Sequence, residues 1–118
     1  MSEYPDHYVL ICSTCQGPLA AETAQRTLDE SLPDGFTTRL IPCMAGCNRP
    51  MTVGFQTTDK AQYLFGDIQS SADLTALAAF ACQFQNSVDG WTSASERPPA
   101  LFYKTLSRIP RLPAEDAT

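Results

Sequence analysis

The stretch HYVLICSTC, residues 7–15, decides how the rest of the chain is interpreted. Its first five residues are rich in β-branched and aromatic side chains and predict a short strand. Cys12 and Cys15 follow that strand directly, and Gly17-Pro18 then separates them from a predicted helix over residues 19–31. A strand that runs into two thiols and then into a helix predicts the opening of a β-α-β unit, with reactive groups at the end of the strand.

The elements further along the chain continue this α/β pattern. After a turn at residues 32–35, residues 36–41 predict a second strand, and residues 51–57 and 62–65 predict a hairpin. A second helix is expected to begin at Ser71 and to end near Asp89. The order β-α-β-β-β-α predicts a small α/β sandwich whose first two strands are parallel and joined by a right-handed crossover. A C-terminal helical extension is expected at residues 99–108.

Length and charge limit the classes of protein to consider. The chain has 118 residues, which predicts a single domain over residues 1–112 and a flexible tail over 113–118. Its net charge of -5 argues against a nucleic-acid-binding protein, which needs a basic surface to displace counterions. No apolar run approaches the length of a membrane span, and the polar, acidic N-terminus does not resemble a secretion signal. A cytoplasmic protein is therefore expected.

Four of the five cysteines form two close pairs, Cys12 with Cys15 and Cys43 with Cys47. In a reducing compartment such clusters indicate metal binding or redox chemistry, because structural disulfides are rare there. Each pair follows a strand, and the two strands are expected to be parallel, so both pairs should lie at the same end of the sheet. Four thiolates that converge in this way suit an iron–sulfur cluster or a tetrahedral zinc ion.

Two further stretches resemble a known family. The segment CMAGCNRPMTV at residues 43–53, followed by YLFGDI at residues 63–68, is similar to the second half of thioredoxin-like [2Fe-2S] ferredoxins. More closely, the whole chain resembles a bacterial family of unknown function described as predicted metal-binding proteins, some of them encoded near cobalamin-synthesis genes. The first cysteine pair is more tightly spaced than is usual in the ferredoxins.

The resemblance implies a thioredoxin-like fold in which Cys12, Cys15, Cys43 and Cys47 ligate a [2Fe-2S] cluster. It also implies one-electron transfer to a redox partner protein, linked to cobalamin or metal metabolism, and it makes a homodimer an expectation. Neither nucleic acid nor a membrane is an expected partner.

Two other functions remain open from the residues themselves. The C-x2-C pair at Cys12 and Cys15 resembles a zinc knuckle, so the four cysteines could instead form a structural or regulatory zinc module. Alternatively, Cys12 and Cys15 could act as a dithiol oxidoreductase, with the N-terminus of the following helix lowering the pKa of Cys12. The chain has no catalytic triad, phosphate-binding loop or dinucleotide-binding fingerprint, which favours a carrier or binding protein over an enzyme.

Other residues carry weaker expectations. Cys82 is expected to be a buried core thiol on the second helix, and His7 a partly exposed residue at the start of a strand. Arg49 is expected either to offset the charge of a cluster or to be an exposed surface arginine. Residues 97–111 hold four basic residues and no acid, which predicts either the solvated face of a terminal helix or a docking segment for a partner.

Overall fold

The computed structural model describes residues 7–13, 19–42, 49, 51–58, 60–92 and 96–110. These residues form a mixed α/β structure. In chain order its elements are β1 (His7–Cys12), α1 (Ala21–Ser31), β2 (Phe36–Ile41), β3 (Val53–Thr57), β4 (Gln62–Phe65), α2 (Ser71–Asn86), a 3-10 helix (Pro99–Leu101) and β5 (Thr105–Ile109).

The strands form one five-stranded mixed sheet in the order β2-β1-β3-β4-β5. Strand β1 lies near the middle and pairs with β2 in parallel and with β3 in antiparallel orientation. Strands β3 and β4 form the expected hairpin. The predicted parallel pair and the predicted hairpin are therefore both confirmed.

The hydrophobic core lies between the helices and one face of this sheet. Alternate strand residues such as Val9, Phe55 and Phe65 point into it, because side chains along a strand alternate between faces. Leu28 from α1 and Phe80 from α2 enter the same cluster, and the two helices contact each other. Both helices thus cover the same face. Among the described residues, no helix combines the length and the apolar character that a membrane crossing requires.

The expected C-terminal helix at residues 99–108 is wrong. Residues 99–101 form a single 3-10 turn, and residues 105–109 form β5, antiparallel to β4. The register shifts between Leu64 and Phe65, so β5 joins the sheet through an irregular pairing. The backbone N–H and C=O groups on the outer edge of β4 form hydrogen bonds with the fifth strand, which is more favourable than leaving them to solvent. A local sequence pattern does not report a partner so distant along the chain.

Candidate metal centre

Cys12 is the last residue of β1 and only 1% exposed. Its backbone N–H donates to the carbonyl of Thr52 at 3.1 Å, and the N–H of Ser13 donates to the carbonyl of Ile41 at 2.8 Å. The end of β1 is therefore held on both sides, by β2 and by the segment that enters β3. This thiol is buried on a rigid part of the backbone, which suits a ligand that must be preorganised.

The strand that precedes the second cysteine pair ends beside Cys12. In the parallel register Cys12 lies beside Ile41, the last residue of β2, and Pro42 follows. Cys43 is the next residue in the sequence. The register therefore brings the carboxyl ends of the two parallel strands to the same end of the sheet. Cys15, Cys43 and Cys47 lie outside the described residues, so the convergence of the four sulfurs stays a prediction.

The chain after the second pair is fixed by backbone hydrogen bonds. The carbonyl of Arg49 accepts from the N–H of Asp67 at 2.8 Å, and the carbonyl of Met51 accepts from the N–H of Ile68 at 3.1 Å. Thr52 then accepts from Cys12. Arg49, Met51 and Thr52 thus lie between the end of β1 and residues 66–68.

Arg49 is not an exposed surface arginine, because it is partly buried and forms an ion pair; the expectation that it offsets the charge of a cluster stays a prediction. Its Nε donates to Asp67 Oδ2 at 2.7 Å, and its Nη2 donates to the carbonyl of Tyr103. Asp67 receives this ion pair in a left-handed conformation, φ 57°, which aspartate tolerates better than most residues. Arg49 therefore connects its part of the chain to the turn at Gly66 and Asp67, and its guanidinium donates to Asp67 and Tyr103.

Lys104 ties the same turn to the start of α2. Its Nζ donates to the carbonyl of Asp67 at 2.6 Å and to Asp73 Oδ2 at 3.0 Å. Burial opposes ionisation of Asp73, but the hydrogen bond from the Gln69 N–H and the ion pair with Lys104, with a smaller effect of Ser70, together lower its pKa. The carboxylate is thus ionised at neutral pH and shared between the helix start and the C-terminal segment.

This clamp around Gly66, Asp67 and Lys104 was not found by sequence reasoning. The sequence contains one sign of this clamp, the GDI sequence at residues 66–68, and its resemblance to the ferredoxins does not indicate these contacts. Partners as far apart as Arg49 and Tyr103 become neighbours only after the sheet has formed.

Two single-residue expectations are wrong. Cys82 is exposed on α2, because it follows Ala81 by one position and a helix turns by about 100° per residue, away from the buried stripe. His7 is buried at 8% exposure; its ring is tilted by 36° from that of Phe36 at a centroid distance of 4.9 Å, and its Nε2 lies 3.1 Å from the Nζ of Lys60.

The described residues also bear on the dithiol hypothesis. Helix α1 begins only at Ala21, whereas Cys12 belongs to β1. Cys12 is therefore not in the first turn of a helix, where the helix dipole would lower a thiol pKa, since that effect falls off within one turn. Cys12 is instead buried at the end of β1, nine residues before α1 begins.

Three of the four basic residues in 97–111 bind within the domain. Arg97 and Arg108 contact Thr92, and Lys104 contacts Asp73. Arg111 lies outside the described residues. The segment is thus neither a terminal helix nor a freely solvated face.

Within the described residues, no three His, Cys, Asp or Glu side chains gather into a metal site. Cys12 is the one predicted ligand that those residues include. The chemistry of the four predicted donors, which are thiols in two pairs close in sequence, fits a four-thiolate centre.

Searches of curated proteins and of solved structures found no match to this chain. A family model does match, and it spans residues 9–111, which include both cysteine pairs and all five strands from Val9 onward. The chain therefore belongs to the DUF1636 family, a family of proteins of unknown function.

Proposed function

We propose that this protein is a thioredoxin-like [2Fe-2S] ferredoxin that carries single electrons and holds its cluster through Cys12, Cys15, Cys43 and Cys47. The observation that carries the proposal is the placement of Cys12. It is buried at the end of β1, in register with the last residue of a parallel β2 that leads to Cys43 within two residues.

The sheet supports the finer fold assignment. Strands β2-β1-β3-β4, with β1 and β2 parallel and the other neighbours antiparallel, combine a β-α-β unit with a β-β-α unit. Helix α1 connects the parallel pair, and α2 follows the hairpin. This is the arrangement expected of a thioredoxin-like domain, to which β5 is added at the edge of β4.

The protein's own residues would hold and shield the centre. Cys12 supplies a thiolate from a buried position, and the hydrogen bonds of Cys12 and Ser13 to Thr52 and Ile41 keep that end of the sheet from shifting. Arg49 anchors the other loop through Asp67. A bound [2Fe-2S] cluster would supply reversible one-electron chemistry. The partner would be a cytoplasmic redox protein, and a link to cobalamin metabolism rests on the resemblance alone.

A zinc module is the second candidate. It is favoured by the C-x2-C spacing of Cys12 and Cys15 and by the fixed backbone around Cys12, since structural zinc sites are closed and rigid. Zinc has no redox chemistry, so the protein would then be a structural or regulatory binding module and would not transfer electrons.

The test is an anaerobic purification with a visible absorption spectrum and with iron, sulfide and zinc analysis of the same sample. The ferredoxin proposal expects a red-brown protein with about two iron and two sulfide per chain. Cys12→Ser and Cys43→Ser should each lose the colour. Cys82→Ser is the matched control, because Cys82 is an exposed thiol on α2, and it should keep the full spectrum.

Other outcomes decide between the candidates. A colourless protein with about one zinc per chain, lost in the same two variants, would replace the ferredoxin with the zinc module. If neither metal binds after anaerobic reconstitution, both proposals are overturned. Circular dichroism of each variant separates loss of the metal from loss of the fold.

A further inference from the structure

Two arginines share one hydrogen-bond acceptor, the carbonyl oxygen of Thr92, near the edge of the sheet opposite β2. Arg97 Nη2 and Arg108 Nη1 each lie 3.2 Å from the carbonyl oxygen of Thr92. Arg97 also donates through Nε to Thr92 Oγ1 at 3.1 Å and through Nη1 to Thr105 Oγ1 at 3.3 Å. Two permanent positive charges are therefore held side by side, and every one of these acceptors is neutral.

No carboxylate of the described residues forms an ion pair with either guanidinium. The described ion pairs are those of Arg49 with Asp67 and of Lys104 with Asp73. Arg97 is only 7% exposed, and a buried charge is costly unless an opposite charge or hydrogen bonds compensate for it. Like charges on adjacent side chains add to that cost. An oxyanion between them would offset both contributions.

The acceptor itself is rigidly placed. Thr92 is buried, its N–H donates to the hydroxyl of Tyr63 at 3.0 Å, and its own hydroxyl lies 3.1 Å from the same oxygen. The N–H of the preceding residue, Trp91, donates to Asp89 Oδ1 at 3.0 Å. Donors on the two arginines are thereby fixed before any ligand arrives, which lowers the entropic cost of binding.

An open groove of about 620 Å³ gives access to these donors. It is lined by both arginines and by Trp91 and Phe102, whose rings are about half exposed. Arg108 stacks on the Trp91 ring, 3.5 Å from its centroid, which holds the guanidinium plane at the groove. A guanidinium has five N–H donors. Within the described residues, Arg108 donates one hydrogen bond and Arg97 donates three, so both side chains keep donors for a ligand.

We propose that this groove, formed by Trp91, Thr92, Arg97, Phe102 and Arg108, binds the phosphate or carboxylate group of a small anionic ligand. Arg97 and Arg108 pair with the oxyanion, and the two aromatic rings contact the apolar part of the molecule. The site does not use the cysteines and is independent of the proposed metal centre. Glu96 lies in an adjoining groove that shares Trp91 and Thr92, so it limits how much negative charge the ligand can carry on that side.

Trp91 makes the site directly observable, because it is the only tryptophan in the chain. Purified protein is titrated with inorganic phosphate and, separately, with succinate, with sodium chloride at equal ionic strength as the blank. Tryptophan emission and calorimetry are both followed. The proposal expects a saturable response to at least one of the two anions, with a dissociation constant of about 1 mM or tighter.

The variants are Arg108→Gln, with Arg39→Gln as the matched control, since Arg39 is an exposed arginine on β2. Arg108→Gln should weaken binding about tenfold or more by calorimetry, because it removes a charge-assisted hydrogen bond. Arg39→Gln should leave the affinity unchanged. Arg97→Lys keeps the buried charge but loses the fork of donors, and it should also weaken binding in a protein with an unchanged circular dichroism spectrum.

A response to phosphate alone identifies a phosphate-bearing ligand, and a response to succinate alone identifies a carboxylate; either supports the site. No saturable response to either anion, or equal weakening by Arg108→Gln and Arg39→Gln, overturns it.

Discussion

At the scale of single residues, Gly66 decides how closely two segments approach. A Cβ atom at this position would lie 2.9 Å from the Cβ of Arg49, 2.9 Å from Leu106 Cδ1 and 3.0 Å from the carbonyl oxygen of Arg49. Two of these neighbours are backbone or next to it and cannot swing away. The absence of a side chain at Gly66 therefore lets Arg49 and Leu106 of β5 both approach this residue closely.

Gly66→Ala should lower the free energy of unfolding by about 1–3 kcal/mol, because overpacking of this contact forces backbone shifts. It should also weaken metal retention under the proposed function, since Arg49 is two residues from Cys47. Urea unfolding measures the first effect and metal content after dialysis the second. Gly54→Ala is the comparison: its Cβ would meet one backbone oxygen at 3.2 Å and two side chains at 3.8 Å, so the loss should be smaller. Equal losses would contradict the steric argument.

At the scale of elements, the start of α2 is the best-defined helix end. Ser70 caps it by accepting from the N–H of Asp73 at 3.3 Å, and Asp73 reaches back to the N–H of Gln69 at 2.9 Å. This is close to a capping box, except that the Asp73 carboxylate accepts from the N–H of the residue before the cap and not from that of the cap itself. Lys104 binds the same carboxylate, so the helix start is also held from the C-terminal segment.

Asp73→Asn should cost about 1–3 kcal/mol of unfolding free energy at pH 7. The folded-state pKa of Asp73 is lowered, so its carboxylate stabilises the fold above its unfolded pKa of about 3.9. That stability is lost as the pH falls through the lower folded pKa. The difference in unfolding free energy between the natural protein and Asp73→Asn should therefore be largest at pH 7. It should become smaller below about pH 4, as measured by urea unfolding across pH.

Lys104→Gln and the double variant complete a cycle that isolates the ion pair from the helix cap. Coupling between Asp73 and Lys104 should be present at pH 7 and should fade in acid. A gap that widens as the pH falls would contradict the assigned protonation.

At the scale of the whole molecule, the C-terminal segment, residues 96–110, contributes to the core. Leu101 is fully buried in the 3-10 helix and joins the cluster that includes α2. Leu101→Ala should destabilise the protein by about 2–5 kcal/mol by leaving a cavity. Tyr103→Ala is the control, because that side chain is 87% exposed, and it should change stability by less than about 0.5 kcal/mol. Similar losses of unfolding free energy in the two variants, measured in urea, would show that this segment is peripheral to the core.

Local patterns predicted most of the sheet. The bounds of β2 and β4 agree with the sequence because turn residues and proline delimit them, as at Gly35 and Pro42. Cys12 falls at the end of β1, as expected. The fifth strand could not be predicted in this way, since its residues 105–109 are stabilised by pairing with β4 and not by their own periodicity.

The same reasoning failed for contacts that join distant segments. Helical phase alone could have placed Cys82 away from the core, but Arg49 with Asp67 and Arg97 with Thr92 are consequences of the finished sheet. The sulfurs of Cys15, Cys43 and Cys47 lie outside the described residues, so the ligand set is still a prediction from the sequence.

The position of β5 has a consequence for synthesis. Strand β4 is complete by residue 65, but its partner at its outer edge is made only with residues 105–109. Until residues 105–109 have been made, the outer edge of β4 therefore lacks its strand partner, and an unpaired strand edge is a template for pairing with other chains. Polypeptides that end between residues 65 and 105 should be the aggregation-prone species, and pairing of residues 105–109 with β4 should be the event that removes the open edge.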